Sequence, residues 1–248
     1  MKTTISIELV PRSEASIAAD LETLRRDFPA TRMVNIPDLL RFDLRSWDAC
    51  KMAISDLDRA IPHIRAMDFP AKAAGELASR LRGFGLREAL IVRGDAPQDL
   101  ARPVHSTTSA ELIRALKEID PELKLYAVFD PYRRGLRSEL DDVKEKIDAG
   151  AVGLFTQPFF DLQFMKVCAD VLPELEIFWG LAPVVTAGNR RYWEVKNRAF
   201  FPSHFEPSLE WNREFASSCI EWAKETEENL YFMPIRLGLN EYLGGLIA

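Results

Sequence analysis

Residues 123–156 read LKLYAVFDPYRRGLRSELDDVKEKIDAGAVGLFT, and this stretch decides the fold class. It contains a β-rich run at Leu123–Phe129, a helical pattern at Leu136–Ala149 and a second β-rich run at Val152–Thr156. Two short apolar strands joined by an amphipathic helix are typical of a parallel β/α/β unit, in which the helix crosses over the sheet. The stretch therefore predicts a parallel sheet covered by helices.

The same alternation runs through the rest of the chain in both directions. The other predicted strands are Thr4–Val10, Arg32–Ile36, Ala60–Met67, Glu88–Val92, Glu176–Leu181 and Asn229–Ile235. The other predicted helices are Ser13–Arg26 with Ser13 as its cap, Ala71–Arg82, Phe160–Val171, Gly188–Asn197, Leu209–Glu227 and Glu241–Ile247. Eight β/α units in 248 residues match a TIM barrel better than an open doubly wound sheet. No linker-like stretch interrupts the alternation, so we predict an α/β protein with one (β/α)8 TIM-barrel domain over residues 1–248.

Composition and charge exclude several classes of protein. A chain with 47% hydrophobic and 28% charged residues has globular composition, and a net charge of −6 disfavours nucleic acid and anionic membranes as partners. No apolar run approaches the ~20 residues of a spanning helix. Cys50, Cys168 and Cys219 lie far apart without a CxxC pair, which argues against a disulfide scaffold and a zinc site. We therefore expect a cytoplasmic protein without a bound metal, and the sequence leaves a monomer and a homo-oligomer both open.

Polar residues stand where the predicted strands end, which is where TIM barrels carry their active sites. Glu8 interrupts an apolar strand; it is either a functional carboxyl or a rim or ion-paired residue. His63 lies inside the third strand, where a buried imidazole with a satisfied hydrogen bond is the alternative to a functional one. The Arg93-Gly94-Asp95 segment follows the fourth strand, and its glycine permits close backbone approach; a plain surface turn is the alternative.

Three further positions are candidates for ligand contact. Thr156-Gln157-Pro158-Phe159-Phe160-Asp161 places an amide beside two aromatic rings, a combination that suits a planar heterocycle or simply a core. Arg236 follows the last strand and could clamp a carboxylate or form a structural ion pair. Lys146, late in a helix, reads on its own as a solvated charge. No GxGxxG, Walker, HExxH or GxSxG motif supports another chemistry.

Six short segments and one arginine, in this order along the chain, resemble the methylenetetrahydrofolate reductase family of flavin-dependent TIM barrels. The resemblance rests on SIELVP (residues 6–11), IPHI (61–64), RGDAP (93–97), KIDAGA (146–151), TQPFFD (156–161), GLAPV (180–184) and Arg236. It implies an oxidoreductase that acts on a CH–NH group of a tetrahydrofolate derivative. The implied reaction interconverts 5,10-methylenetetrahydrofolate and 5-methyltetrahydrofolate in one-carbon metabolism and methionine biosynthesis.

The resemblance also implies roles for residues on the folate side. Glu8 would be the general acid that protonates the imidazolidine ring and opens it to the reducible iminium. Asp95 would be the second catalytic residue, which hydrogen-bonds the pterin and stabilises the developing cation. The substrate-binding set would be Glu8, Asp95, Gln157, Phe160, Trp193 and Arg236.

An FAD cofactor is implied as well, with NADH or NADPH as the donor. The hydride would pass from nicotinamide to flavin and from flavin to the methylene iminium. The implied flavin contacts are His63, Arg93, Gly94, Asp95, Phe129, Glu139, Lys146 and Ala151. In this reading Lys146 becomes a phosphate partner and no longer a solvated charge.

The chain departs from the family pattern mainly on the flavin side. Pro37 stands where the family has a threonine, and Phe129–Gly135 replaces a tyrosine, proline, glutamate and histidine run. Glu139 replaces an aspartate, and the loop Gln98–Ser106 lacks a glycine-rich, aromatic character. These departures keep a second hypothesis open, a folate-binding barrel that has lost flavin and redox activity. A flavin barrel acting on an unrelated substrate is the third.

Overall fold

Eight parallel strands close into a barrel in the order of the sequence. The computed structural model describes residues 3–95 and 103–247. Each strand pairs with the next, and the last pairs with the first through Ile5↔Leu230 and its neighbours. The strands are β1 Ile5–Glu8, β2 Met33–Ile36, β3 Arg59–Arg65, β4 Glu88–Val92, β5 Lys124–Phe129, β6 Gly153–Pro158, β7 Glu176–Leu181 and β8 Asn229–Phe232. The predicted (β/α)8 TIM barrel is confirmed.

Helices cover the outside of this barrel. They are α1 Glu14–Asp27, α2 Ser46–Ala53, α3 Ala74–Gly83, α4 Ser109–Ile119, α5 Leu136–Asp148, α6 Leu162–Val171, α7 Ala187–Lys196, α8 Leu209–Thr226 and α9 Leu239–Leu243. Two short 3₁₀ turns, Ala66–Asp68 and Ala71–Ala73, follow β3. Because both α7 and α8 follow β7, α7 and the segment after it are additional to the β/α repeat.

The predicted boundaries hold best where strands are short and apolar. β4 and β7 have the predicted bounds, and Ser13 caps α1 by accepting a hydrogen bond from the Ser16 amide. The last strand was predicted to reach Ile235 but ends at Phe232, and the closing helix Glu241–Ile247 is instead Leu239–Leu243. Helices α2 and α4 were not predicted. Helix α4 had a readable signal, because Thr108 and Glu111 form a capping box at its start.

Alternating residues of the strands build two separate layers of core. Ile7, Val34, Ile64 and Trp179 point outward and pack in the layer between the barrel and the helices. Residues of the opposite alternation, including Met33, Ile61, Leu90, Phe155 and Phe178, fill the barrel interior. Side chains two positions apart on a strand share a face, so Ser6 and Glu8 point into the barrel because Ile7 points out. Inward-facing residues at the carboxyl ends of the strands therefore meet at one mouth.

The opposite end of the barrel is closed by an ion-pair network. Arg59 pairs with Glu88 and Glu176 at 2.8 Å each, and it donates to the hydroxyl of Tyr126 at 2.6 Å. All four side chains come from the first residues of their strands or from inward positions near them. In TIM barrels, residues at the amino-terminal end of the strands serve stability rather than catalysis. We assign this network to stability.

Replacing Arg59 by Met should therefore destabilise the fold without a specific effect on function. Removing one partner of a buried ion pair leaves uncompensated charge, and because these side chains are partly exposed we expect a loss of about 2–4 kcal/mol in the free energy of unfolding. Urea unfolding measures this loss. The matched control is Arg25→Met, which removes an exposed 3.6 Å pair with Asp56 and should cost less than about 0.5 kcal/mol. Equal stability of the two variants would contradict the assignment.

Three further features of the described residues bear on the predicted class. None of the helices in residues 3–95 and 103–247 is long and apolar enough to cross a membrane. Within the same ranges, no group of three or more His, Cys, Asp or Glu side chains is arranged to hold a metal ion. Cys50, Cys168 and Cys219 are buried free thiols.

Candidate active site

The barrel mouth carries an unpaired carboxyl at the end of β1. Glu8 is the last residue of that strand, points inward and is only partly exposed. Burial raises the pKa of this carboxyl to about 8, and no hydrogen bond or ion pair within the described part of the chain engages it. A carboxyl with such a pKa is mostly protonated at neutral pH, so it can donate a proton to a bound molecule.

Next to Glu8, a hydrogen-bonded chain joins the first three strands. Asn35 Nδ2 donates to Ser6 Oγ at 2.9 Å, and Asn35 Oδ1 lies 3.0 Å from His63 Nε2. Because the amide oxygen can only accept, the imidazole carries its proton on Nε2 in this arrangement. Burial lowers the pKa of His63 to about 3, so the ring is neutral. Sequence reasoning found His63 but missed Asn35, whose signal was an amide inside an otherwise apolar strand.

The Arg93-Gly94-Asp95 segment leaves β4 in a conformation that requires glycine. Gly94 has φ +86°, and a Cβ at this position would lie 3.1 Å from Arg65 Cζ and from Met67 Cγ. The predicted close approach is therefore made by the Arg65 guanidinium of this chain. Arg93 and Asp95 are exposed at the mouth. The family-like continuation Ala96–Pro97, and most of the loop Gln98–Ser106, lie outside the described residues.

The end of β6 brings Gln157 to the mouth, and the aromatic rings beside it are covered. Gln157 is half-buried near the carboxyl end of β6, where the pairing with β7 is irregular between Phe155 and Pro158. Phe160 and Trp193, both implied as substrate contacts, have ring centroids 5.6 Å apart. Both are buried, and Phe160 also packs on Phe201 at 4.4 Å. Helix α7 and the segment after it therefore use much of the surface of these rings. Stacking of Trp193 on a ligand stays a prediction that requires this cover to shift.

A glycine on β7 lets the barrel interior close tightly beside Gln157. A Cβ at Gly180 would lie 2.8 Å from Tyr231 Cε1 and 2.9 Å from the Thr156 carbonyl oxygen. The Tyr231 hydroxyl donates to the same carbonyl, and the Gly180 amide donates to Thr156 Oγ1. The backbone around Gln157 is thus fixed from two neighbouring strands.

Arg236 lies farther from the barrel than the sequence predicted. The prediction placed it at the end of the eighth strand, but β8 ends four residues earlier, at Phe232. Arg236 sits in the turn before α9, exposed and with φ 63°. The turn sequence after Phe232, which includes Pro234, ends the strand because proline cannot donate to the sheet. A contact between Arg236 and a ligand in the mouth stays a prediction.

Two residues implied as flavin contacts, both on α5, form hydrogen bonds and ion pairs within the protein. Glu139 is fully buried; it accepts from the Asp130 amide at 3.0 Å and pairs with Arg133 and Arg134 at 3.3 and 3.2 Å. Lys146 is buried as well; it donates to the Val128 carbonyl at 2.8 Å and pairs with Asp142. Neither side chain presents a free charged group to a cofactor. Arg133 and Arg134, whose role the sequence left open, serve this internal network.

Two other implied flavin residues present no side chain to the interior of the mouth. The Phe129 side chain is fully buried in the outer layer between barrel and helices. Ala151 precedes the start of β6, and the next amide, that of Val152, donates to Leu125 near the amino-terminal end of β5. Ala151 therefore lies at the end of the barrel opposite the mouth. Contact of either residue with a flavin stays a prediction, because a linear motif does not show on which face or end of a strand a residue falls.

Comparison with known proteins gives a match to a family model and to named relatives. The model for methylenetetrahydrofolate reductase matches residues 45–215. A 5,10-methylenetetrahydrofolate reductase of Pectobacterium carotovorum is 33% identical over 132 residues, and that of Escherichia coli K12 is 28% identical over 130 residues. Each alignment covers 50% of this chain and 44% of the relative, so the matched region is about half of this chain and less than half of the relative's length.

Solved structures of the same fold share little sequence with the chain. A Clostridium thermocellum protein, described as binding two copies of 5-methyl-5,6,7,8-tetrahydrofolic acid, aligns with a TM-score of 0.65 at 15% identity and covers 95% of this chain and 90% of its own. Oxaloacetate acetylhydrolase aligns with a TM-score of 0.61 at 11% identity, covering 99% of this chain and 76% of its own. At these identities the similarity shows the barrel fold alone.

Proposed function

The chain belongs to the methylenetetrahydrofolate reductase family, and from this premise we propose that it is an oxidoreductase that interconverts 5,10-methylenetetrahydrofolate and 5-methyltetrahydrofolate. The observation that carries the proposal is the unpaired Glu8 carboxyl at the barrel mouth, whose pKa is raised to about 8. The Clostridium thermocellum barrel that binds 5-methyltetrahydrofolic acid supports a reduced folate as the ligand.

The first step that this site would perform is a proton transfer. Glu8 donates its proton to the nitrogen of the imidazolidine ring that leaves the methylene carbon, and the C–N bond breaks to give the methylene iminium on the other nitrogen. Asp95, exposed at the end of β4, stabilises the cation as it forms. Gln157 hydrogen-bonds the pterin edge. A neutral His63 adds no positive charge that would oppose this cation.

The second step is a hydride transfer to the iminium carbon. The hydride converts the methylene iminium to the methyl group, and its donor is oxidised by two electrons. Reduced nicotinamide, NADH or NADPH, is the donor class that the family resemblance implies. Glu8 recovers its proton from solvent, so that one proton and one hydride are consumed in each turnover.

The residues at the implied flavin positions do not fit FAD. The space beside Gly94 is filled by the Arg65 guanidinium, the Lys146 ammonium is taken by Asp142 and the Val128 carbonyl, and the Glu139 carboxylate is enclosed by two arginines. A flavin phosphate at Lys146 would have to displace the partly buried carboxylate of Asp142, which costs a charge-assisted hydrogen bond. The proposal therefore takes the hydride directly from nicotinamide.

The same observation favours one alternative function. A barrel that keeps the folate-side residues while its flavin-side residues are engaged elsewhere could bind reduced folate without redox chemistry. Such a protein would bind 5-methyltetrahydrofolate tightly in calorimetry and would not oxidise NADH or NADPH in the presence of methylenetetrahydrofolate.

The test of the proposed function is turnover by the purified wild-type protein. With methylenetetrahydrofolate and NADH or NADPH, we expect oxidation of the nicotinamide and formation of 5-methyltetrahydrofolate in equal amounts. The reverse reaction, with 5-methyltetrahydrofolate as substrate and NAD+ or NADP+ as the hydride acceptor, controls for an equilibrium that hides turnover. Folate binding without turnover in either direction would establish the alternative, and absence of folate binding would overturn both.

A further inference from the structure

Arg65, the last residue of β3, is buried and points toward the segment that carries Asp95. It is 7% exposed, and its Nη2 donates to the Asp95 carbonyl oxygen at 2.5 Å. Its Nε lies 3.2 Å from both carboxylate oxygens of Asp68. Its Cζ lies 3.1 Å from the position that a Cβ of residue 94 would take. The guanidinium thus touches both the turn and the acidic residue that orients it.

Asp68 is in turn part of a longer ion-pair chain across the top of β2 and β3. Arg45 lies 3.2 Å from Asp68 and forms a two-pronged pair with Asp38, whose side chain is 1% exposed. The charges alternate from Asp38 through Arg45 and Asp68 to Arg65. Arg45 therefore has a carboxylate on both sides, whereas Arg65 has Asp68 on one edge and the Asp95 carbonyl on another. A planar guanidinium held at both edges has little rotational freedom. This chain of ion pairs fixes the direction in which the Arg65 guanidinium donates its hydrogen bonds.

Two backbone hydrogen bonds fasten the same region. The Met67 amide donates to the Arg93 carbonyl at 3.2 Å, and the His105 amide donates to the Met67 carbonyl at 2.8 Å. The segments entering and leaving the undescribed residues 96–102 are therefore both attached to the residues that follow β3. Arg65 adds a third hydrogen bond, which is accepted by the carbonyl of Asp95 itself.

We infer that Arg65 is a positioning residue for Asp95: it holds the turn after β4 so that the Asp95 carboxylate faces the reacting folate. This inference rests on the proposed function, in which Asp95 stabilises the developing cation. Displacement of a catalytic group by about 1 Å can cost about 10²-fold in rate. The family-like segments quoted above do not include Arg65, and its signal in the sequence was an arginine two positions after His63 on the same face of the strand.

Kinetics of Arg65 variants test the inference. Arg65→Met should lower kcat by about 10²-fold, and Arg65→Lys by only about 10-fold because a lysine keeps the charge and one of the bonds. In an Asp95→Asn background, Arg65→Met should add less than about threefold, since its effect passes through Asp95. The matched control Arg82→Met removes an exposed ion pair with Asp120 and should leave kcat unchanged. Wild-type kcat in Arg65→Met, or effects of Arg65 and Asp95 that multiply, would overturn the inference.

Amide hydrogen exchange provides a readout that does not depend on activity. In Arg65→Met, peptides containing residues 93–95 should exchange at least about tenfold faster, while peptides from α5 and β7 stay as in the wild type. If the wild type lacks turnover, the proposed function fails, and unchanged exchange in this variant would separately refute the positioning role. Should Arg65→Met not fold, Asp68→Asn replaces it; the same local increase is expected, and its absence counts against the inference.

Discussion

Replacing Glu8 by Gln should lower the rate of methylenetetrahydrofolate reduction by about 10³-fold, because a positioned general acid typically contributes between 10²- and 10⁴-fold. Glutamine has nearly the same shape and can donate a hydrogen bond, but it cannot transfer a proton to the ring nitrogen. Binding of 5-methyltetrahydrofolate needs no proton transfer, so its affinity should change little. Stopped-flow single turnover measures the chemical step, and calorimetry measures the binding.

The control for this experiment is Glu14→Gln in the first turn of α1. Glu14 is exposed, and the substitution makes the same chemical change, from carboxyl to carboxamide, in the same region of the chain. It should leave the rate unchanged. A Glu8→Gln variant that reduced methylenetetrahydrofolate at the wild-type rate would show that the proton comes from another group, and the assignment of Glu8 would be wrong.

The raised pKa of Glu8 adds a pH dependence with a definite sign. Its pKa in the folded protein is about 8, above the ordinary value of 4.5 for an exposed glutamate. The acid form that donates the proton is lost as pH rises through about 8, so kcat/KM for reduction should fall there. Below pH 4.5 the Glu8 carboxyl is neutral in both the folded and the unfolded protein, and its contribution to the free energy of unfolding is fully present. That contribution is lost as pH rises from 4.5 through 8, because the unfolded protein ionises there while the folded protein does not. The free energy of unfolding of Glu8→Gln, compared with that of the wild type, should therefore be higher at pH 8.5 than at pH 5. Urea unfolding of both proteins at the two pH values measures this difference.

The barrel could be predicted from the sequence because its evidence is repeated. Eight apolar runs separated by amphipathic segments fit few other architectures, and an error in one segment does not change the count. The two helices that were missed left the prediction intact for this reason. Boundaries were less predictable where an apolar run continues beyond the paired residues into a turn, as after Phe232, because strand ends depend on partners in other strands.

The site was predictable only in part, since a motif names residues but not the direction of their side chains. Glu8 reaches the mouth because it falls on the inward alternation of β1, and Gln157 lies at the carboxyl end of β6, where the strand is irregular. Phe129 falls on the outward one, so its side chain packs against helices. Asn35 and Arg65 carry no family pattern, and their importance appears only when three strands are placed side by side. The spacing of Asp142 and Lys146 along the helix predicts that they form an ion pair, but it does not predict that Lys146 is buried.

These pairings lead to an expected result for the cofactor. Purified protein mixed with FAD and then desalted should retain no visible flavin absorption, because the positions that would hold the flavin are filled by Arg65, Asp142 and the arginines around Glu139. The desalted protein should still reduce methylenetetrahydrofolate with NADH or NADPH at its full rate. Added FAD should not increase that rate.

Deuterium labelling of the nicotinamide donor tests the direct hydride transfer itself. With a nicotinamide donor deuterated at both C4 positions, direct transfer places deuterium in the methyl group of 5-methyltetrahydrofolate. A hydride that passes through a flavin resides on a nitrogen that exchanges with water, so the product methyl group would lose most of the label. Mass spectrometry of the product should therefore show one deuterium per molecule. A wholly unlabelled product together with a retained flavin band would contradict the direct route, and it would require the Lys146–Asp142 pair to open when the cofactor binds.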